Sequence, residues 1–215
     1  MCWSATADLV AGAGVTAVGA ACAAQVRRPR DLPLAALPLL LGAHQITESL
    51  LWDAGRGSGP ATVVWAVIAL PLLAVWVPVG VMCAAPPHAR RRLLLPLAAG
   101  AATSAVLAHA VATGPVRAEI RGHTVGYVLG LSHAPPLVTG YLLATVGSLL
   151  LSGDRRLLVL GILVAVGAAV CWALWRMEFI STWCAIAAVC SVVLFGWVRA
   201  RRAAPAPLPG PLAGV

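Results

Sequence analysis

Two histidines, three carboxylates and two thiols fall where a long apolar chain has no ordinary use for them: His44, His109, Asp8, Glu48, Glu178, Cys2 and Cys184. Ionisable groups inside a membrane span are costly and point to function by default. His44 and Glu48 are four residues apart, so a helix places both on one face. Imidazole, carboxylate and thiolate together form a donor set that suits zinc, or copper or iron in other geometries. On that reading His44, His109 and Cys184 hold the metal, and Glu48 is the general base toward a metal-bound water. Cys2, Ser4, Asp8, Glu178, Ser181 and Trp183 then contact the ligand. His44 and His109 from two helices would also serve haem iron, although their depths differ by about one helical turn. Neither HExxH nor CxxC occurs in the sequence. Two other readings stay open for the same residues: a hydrogen-bonded network that fixes helix register, and metal-free catalysis or proton transfer.

The elements that carry these residues follow from composition. Of 215 residues, 60% are hydrophobic and 10% charged, and mean hydropathy is +0.91. A soluble domain carries about 25% charged residues, so a water-soluble fold is excluded and a helical membrane protein remains. All 15 basic residues are arginine. The absence of lysine excludes a Schiff-base chromophore, which needs a lysine amine. The net charge of +8 sits in short clusters between apolar runs, without the basic stripe and interleaved aromatics of a nucleic-acid surface. No nucleic-acid partner is expected.

A span of about 30 Å takes roughly 20 apolar residues. Seven stretches qualify: 5–25, 32–52, 61–83, 93–113, 135–152, 157–175 and 179–198. The fold class is therefore all-α, an integral membrane bundle of seven transmembrane helices over residues 1–202. A Pro/Ala-rich cytoplasmic tail, 203–215, is expected to be disordered. Arg27, Arg28 and Arg30, Arg90 to Arg92, Arg155 and Arg156, and Arg199, Arg201 and Arg202 occupy alternate connections. Those eleven arginines, against four on the other side, put the N-terminus outside and the C-terminus inside. The first span lacks the basic start and cleavage site of a signal peptide and is expected to stay in the mature chain. The one long connection, 114–134, lies outside. Its alternation from Val116 to Arg121, then Gly122-His123 and Thr124 to Leu129, reads as a β-hairpin or an irregular loop between the fourth and fifth helices.

Small residues spaced by four suggest the seams: Gly12, Thr16 and Ala20 on the first helix, Gly161, Ala165 and Ala169 on the sixth, and Ala98, Ala102, Ala105 and His109 on the fourth. Pro38, Pro71, Pro78 and Pro96 lie within or near spans and are expected to shape packing. Trp3, Trp52, Trp65 and Trp175 lie toward outer ends and Trp197 toward the inner end, where belt anchoring accounts for such residues. With this topology the candidate groups converge on the outer half of the bundle, and nothing comparable stands on the cytoplasmic side. Cys2 and Cys184 face an oxidising compartment and are candidates for a disulfide. Cys22, Cys83 and Cys190 are expected to pack as small hydrophobes. His123, His133 and Tyr127 in the outer loop could cap a site from above.

Four phrases carry a family resemblance: Met1-Cys2-Trp3-Ser4-Ala5, Leu34-Ala35-Ala36-Leu37-Pro38, His44-Gln45-Ile46-Thr47-Glu48 and Phe179-Ile180-Ser181-Thr182-Trp183-Cys184. They resemble an uncharacterised domain-of-unknown-function family of short multi-pass bacterial membrane proteins that open Met-Cys-(Phe/Trp)-Ser. The resemblance covers nearly the whole chain apart from the tail. It implies a bacterial cytoplasmic membrane location and no activity. Taken together, the expectation is a polytopic protein with a polar site in its outer half, able to hold a transition metal such as zinc and to bind or act on a small or lipid-like molecule. The alternative is a sensor or partner-binding subunit whose polar cluster is structural.

Overall fold

The computed structural model describes residues 4–53, 59–121, 124–128, 134–174 and 179–203. Helix α1 (Ala5–Gln25) starts where the Ser4 hydroxyl accepts a hydrogen bond from the Ala7 amide at 3.2 Å, an N-cap that satisfies one of the free donors of the first turn. A 3-10 turn (Pro29–Asp31) leads into α2 (Leu32–Ala35) and α3 (Leu37–Asp53), which run on as one rod broken at Ala36. Pro38, which brings no N–H, sits just past that break.

The third rod is α4 (Pro60–Val67), a π-helical stretch (Ile68–Leu72) and α5 (Leu73–Ala84). Pro71 lies in the π-helical stretch, where its missing N–H and its ring cannot fit an i→i−4 ladder, so the turn widens. Carbonyls around it bond sideways: Ser104 donates to the Pro71 oxygen at 2.8 Å and Tyr141 to the Ala69 oxygen at 2.5 Å. Helix α6 (Pro87–Thr113) precedes an antiparallel hairpin of β1 (Arg117–Arg121) and β2 (Thr124–Val128), with Arg117 opposite Val128 and Arg121 opposite Thr124. Of the two forms open to 114–134, the backbone takes the hairpin. A second π-helical stretch (Leu143–Gly147) joins α7 (Ala134–Leu142) to α8 (Ser148–Leu150). Helices α9 (Arg155–Leu174) and α10 (Phe179–Ala203) complete the described chain.

Among the described residues the chain thus makes seven helical rods. Five are long and apolar enough to cross a membrane: Ala5–Gln25, Pro29–Trp52, Pro60–Ala84, Pro87–Thr113 and Arg155–Leu174. The rod Ala134–Leu150 is shorter, about 25 Å at 1.5 Å per residue. The last rod carries Arg201 and Arg202 in its final turn. Large apolar side chains cover the outside as well as the core. Leu94, Leu95 and Val106 on α6, Ile162 and Val166 on α9, and Val189 and Val192 on α10 are all exposed. A helix apolar on both faces belongs in hydrocarbon.

Backbone proximity sets the α1–α3 seam. A Cβ on Gly12 would lie 2.7 Å from the Ile46 side chain, and one on Gly19 would lie 2.7 Å from the Leu39 amide nitrogen. The seam therefore uses Gly12, Thr16 and Gly19; Ala20 from the expected stripe is exposed. On α9, Gly161 packs against Leu149 and Leu150, while Ala169 is exposed. On α6 the expected stripe is inverted. Ala98, Ala102, Ala105 and His109 face outward, and Leu93, Pro96, Gly100, Thr103 and Leu107 face the core.

Tryptophans depart from the belt expectation too. Trp65 and Trp197 are fully or nearly fully buried, at 0% and 1% exposure. Indole nitrogens act as internal donors: Trp52 to Asp8, Trp76 to the Pro33 oxygen, Trp183 to the Val164 oxygen and Trp197 to Asp154. A buried indole N–H needs a partner, and these carboxylates and backbone carbonyls supply one. Cys22 is buried in the core cluster as a small hydrophobe, and Cys190 packs against that cluster. Trp3, Trp175, His123, His133 and the tail 204–215 lie outside the described residues, as does Cys2 of the expected disulfide pair.

Candidate functional site

Three helices carry a group of buried polar side chains. Helix α3 brings His44, Gln45, Glu48 and Ser49, α1 brings Asp8, and α4 brings Thr62 and Trp65. Asp8, His44, Gln45 and Glu48 have no exposed surface at all. One turn separates His44 from Glu48, as their spacing requires. Trp52, a further turn along α3, donates from Nε1 to Asp8 Oδ2 at 2.7 Å and so ties α1 to α3. The Trp65 ring lies against the His44 ring, with centroids 5.0 Å apart and planes at 43°. Burying charge and amide groups this deeply is costly unless each is partnered.

On α3, His44 Nε2 and Gln45 Oε1 lack a hydrogen-bond partner among the described residues. Their own neighbours explain the consequence. Gln45 Nε2 and His44 Nδ1 are 3.4 Å apart, and the proton arrangement depends on the tautomer. If the amide donates, Nδ1 is the acceptor and Nε2 carries an unpartnered proton. If the amide is turned, its oxygen accepts from Nδ1–H and the Nε2 lone pair is free. The second arrangement is how an amide or carbonyl fixes the ring of a metal-binding histidine.

The other expected site residues divide. Ser4 is exposed and serves as the α1 cap. His109 lies on the exposed face of α6, so it is not brought to the buried His44; one small-residue stripe does not say which face of a helix is the seam. Trp183 is buried, 5% exposed, and bonded to the α9 backbone, with its ring stacked on Phe179 and edge-on to Tyr141 at 5.6 Å. Cys2 and Glu178 lie outside the described residues. Ser181 and Cys184 are placed only as backbone in the first turns of α10. Among the described residues, no group of three His, Cys, Asp or Glu side chains converges as a metal-binding set.

Trp183 and Tyr141 are shared by two apolar clefts. One, of about 60 Å³, runs past Leu41, Val77 and Leu160; the other, of about 80 Å³, past Leu70, Leu107 and Phe179. Leu70 and Leu107 of the second cleft also belong to the hydrophobic cluster that contains Trp65.

A second polar cluster, at the opposite end of the bundle, escaped the reading of the sequence. Arg201 donates from Nε to Asp31 Oδ2 at 2.9 Å and from a terminal nitrogen to Asp31 Oδ1 at 2.8 Å. The same nitrogen reaches the Ala84 oxygen at 3.1 Å, and the guanidinium stands 4.9 Å over the Trp197 ring. Asp154 Oδ2 accepts from Trp197 Nε1 at 3.0 Å, while Oδ1 caps α9 through the Arg156 and Leu157 amides. Gly153 has φ +77°, the left-handed turn that lets Asp154 reach that cap. The cluster closes one end of the bundle with the turns after α1, after α5 and before α9 and the end of α10. All the Arg-rich connections therefore meet at one end. The signal available in the sequence was a lone carboxylate inside each of two Arg-rich connections.

A family model described as a family of unknown function, DUF6629, matches residues 1–208. The chain belongs to DUF6629. No curated protein and no solved structure matches it. An uncharacterised family was what the four sequence phrases implied, and the DUF6629 match spans all four of them.

Proposed function

We propose that this DUF6629 chain is a multi-pass bacterial membrane protein that binds, and acts on, a small or lipid-like molecule at the His44–Gln45–Glu48 site. The observation that carries this reading is the fully buried His44 Nε2, which has no hydrogen-bond partner among the described residues. Native proteins rarely leave such atoms bare, and each one calls for an explanation. A bound polar group is that explanation here. The apolar cleft lined by Leu70, Leu107 and Trp183 suits the body of an apolar molecule. A transition metal, zinc foremost and copper or haem iron after it, is the form in which His44 Nε2 would be a ligand. Cys184 and Cys2 would be the further donors, the metal would supply Lewis-acid chemistry, and Glu48 would serve as the general base. His109 has no part in it.

Elemental analysis of detergent-purified protein tests the metal. About one equivalent of zinc, copper or iron is expected, lost in His44→Gln with the helical circular dichroism unchanged. Metal-free protein after reconstitution would remove the metal and leave a metal-free ligand pocket. Organic extraction and mass spectrometry of the same samples tests the ligand, with a bound species expected in the parent and absent from Glu48→Gln.

The alternative is a sensor or partner-binding subunit in which the cluster only fixes helix register. It is favoured by the Trp52–Asp8 bond, which already works as a brace. Full retention of a ligand by a His44→Ala, Glu48→Ala double variant would favour it.

Seven spans with the N-terminus outside and the Arg-rich end in the cytoplasm complete the proposal. A green fluorescent protein fused at the C-terminus is expected to fluoresce, and alkaline phosphatase at the same place to be inactive. The reverse pattern would invert the topology, and with it the side on which the polar site opens.

A further inference from the structure

The Arg-rich end has a feature that topology alone does not require. A small cleft there lies between the end of α1 and the last turn of α10, and Arg27, Arg28, Arg201, Arg202, Asp31 and Trp197 line it. Arg201 is fully engaged with Asp31, the Ala84 oxygen and the Trp197 ring. Arg27, Arg28 and Arg202 have no ion-pair or hydrogen-bond partner for their side chains among the described residues. With Arg201 paired to Asp31 and Asp154, the charges of Arg27, Arg28 and Arg202 leave the cleft with positive charge in excess. An arginine fork matches two oxygens of a phosphate, and such charge-assisted pairs are the strong ones.

Depth identifies the anion. The cleft sits where two apolar helices end, the level at which the headgroups of a bilayer meet a membrane protein. At about 10 Å³ the cleft admits a single oxygen-sized group, so a phosphate rests at its mouth and the rest of the molecule stays outside. A phospholipid presents its phosphate at that level, with its acyl chains against the apolar rods.

We propose that Arg27, Arg28 and Arg202 form a binding site for the phosphate of an anionic phospholipid. Basic pockets between helix ends at a membrane surface are suited to such headgroups. This inference does not rest on the His44 site.

Native mass spectrometry of the full chain tests it, with phosphatidylglycerol, phosphatidylcholine and inorganic phosphate as probes. Phosphatidylglycerol adducts are expected at least fivefold above phosphatidylcholine adducts, weakened by salt. Arg27→Ala/Arg28→Ala should lose that preference, and Arg27→Lys/Arg28→Lys should keep part of it. Arg90→Ala/Arg91→Ala removes the same charge from an exposed stretch of α6 and should keep all of it. The proposal is overturned by equal retention of the two lipids, by equal loss in both alanine pairs, or by retention in Arg27→Ala/Arg28→Ala. Inorganic phosphate that displaces the lipid at equal concentration would overturn the lipid in favour of the free anion. Because the replaced arginines lie at the surface and outside the ion pair, a thermal melt matching the parent is expected for each variant. A variant that melts early is replaced by Arg202→Ala, which carries the same expectation.

Discussion

Replacing Arg201 with Met should destabilise the bundle by about 3 kcal/mol, the low end of the cost of stripping a buried ion pair of one partner. The low end applies because the Arg201 side chain keeps 21% of its exposure, whereas that of Asp31 keeps 7%. Most of the cost falls on Asp31, whose carboxylate would lose both of its guanidinium contacts while remaining among α2, α5 and α10. Asp31→Asn combined with Arg201→Met should therefore recover more than half of the loss, since the stranded charge is removed. Arg199→Met is the control. Arg199 is exposed and only faces the Phe195 ring at 5.8 Å, so less than about 0.5 kcal/mol is expected from it. Unfolding in mixed micelles by titrated dodecyl sulfate measures all four. Additive losses for Asp31→Asn and Arg201→Met would show that the pair is not coupled.

Gly12→Val should cost about 2–3 kcal/mol, as overpacking of a closed seam does. The added Cβ meets the Ile46 side chain at 2.7 Å, the Ile46 amide nitrogen at 2.9 Å and the Gly42 carbonyl at 3.0 Å. Two of those are backbone atoms of α3, so no rotamer change makes room and the helices must part. Gly14→Val, two residues on, meets nothing within 4 Å and should leave stability unchanged within about 0.5 kcal/mol. The difference between the two variants in one melting series isolates the seam from helix propensity. A parting of α1 from α3 would also draw Asp8 away from Trp52, so loss of any ligand held by His44 should accompany Gly12→Val and be absent in Gly14→Val. Equal melting points for the two variants would refute the close α1–α3 contact.

How much of this could be read from residues alone varied with the physics behind each signal. Helical spans were legible because hydrocarbon demands long apolar runs, and the Arg clusters were legible because they break them. Burial of Asp8, His44 and Glu48 was legible because a charge in a span has few places to go. Which face of α6 packs inward was not. Ala98, Ala102 and Ala105 offer one small-residue stripe and Gly100 with Thr103 another, and spacing does not rank them. Tight contact at Gly100 against the α5 backbone decides it, and that contact depends on a partner helix. Gln45 went unremarked as a neutral amide, though it is as deeply buried as His44 and sets the tautomer question. Asp31 and Asp154 were hidden by their surroundings: carboxylates among arginines read as solvated loop until the far end of the chain folds back to meet them.

The Arg201–Asp31 contact joins residues 170 positions apart. Chains emerge from the ribosome N-terminus first at roughly 5–20 residues per second, so on the order of ten to thirty seconds separate the synthesis of the carboxylate from that of its cation. During that interval Asp31 waits at the membrane surface unpaired, and the bundle end stays open. A product that stops short of α10 never closes it. The contact thus forms only once α10 has been made, so this end of the bundle is the last to close.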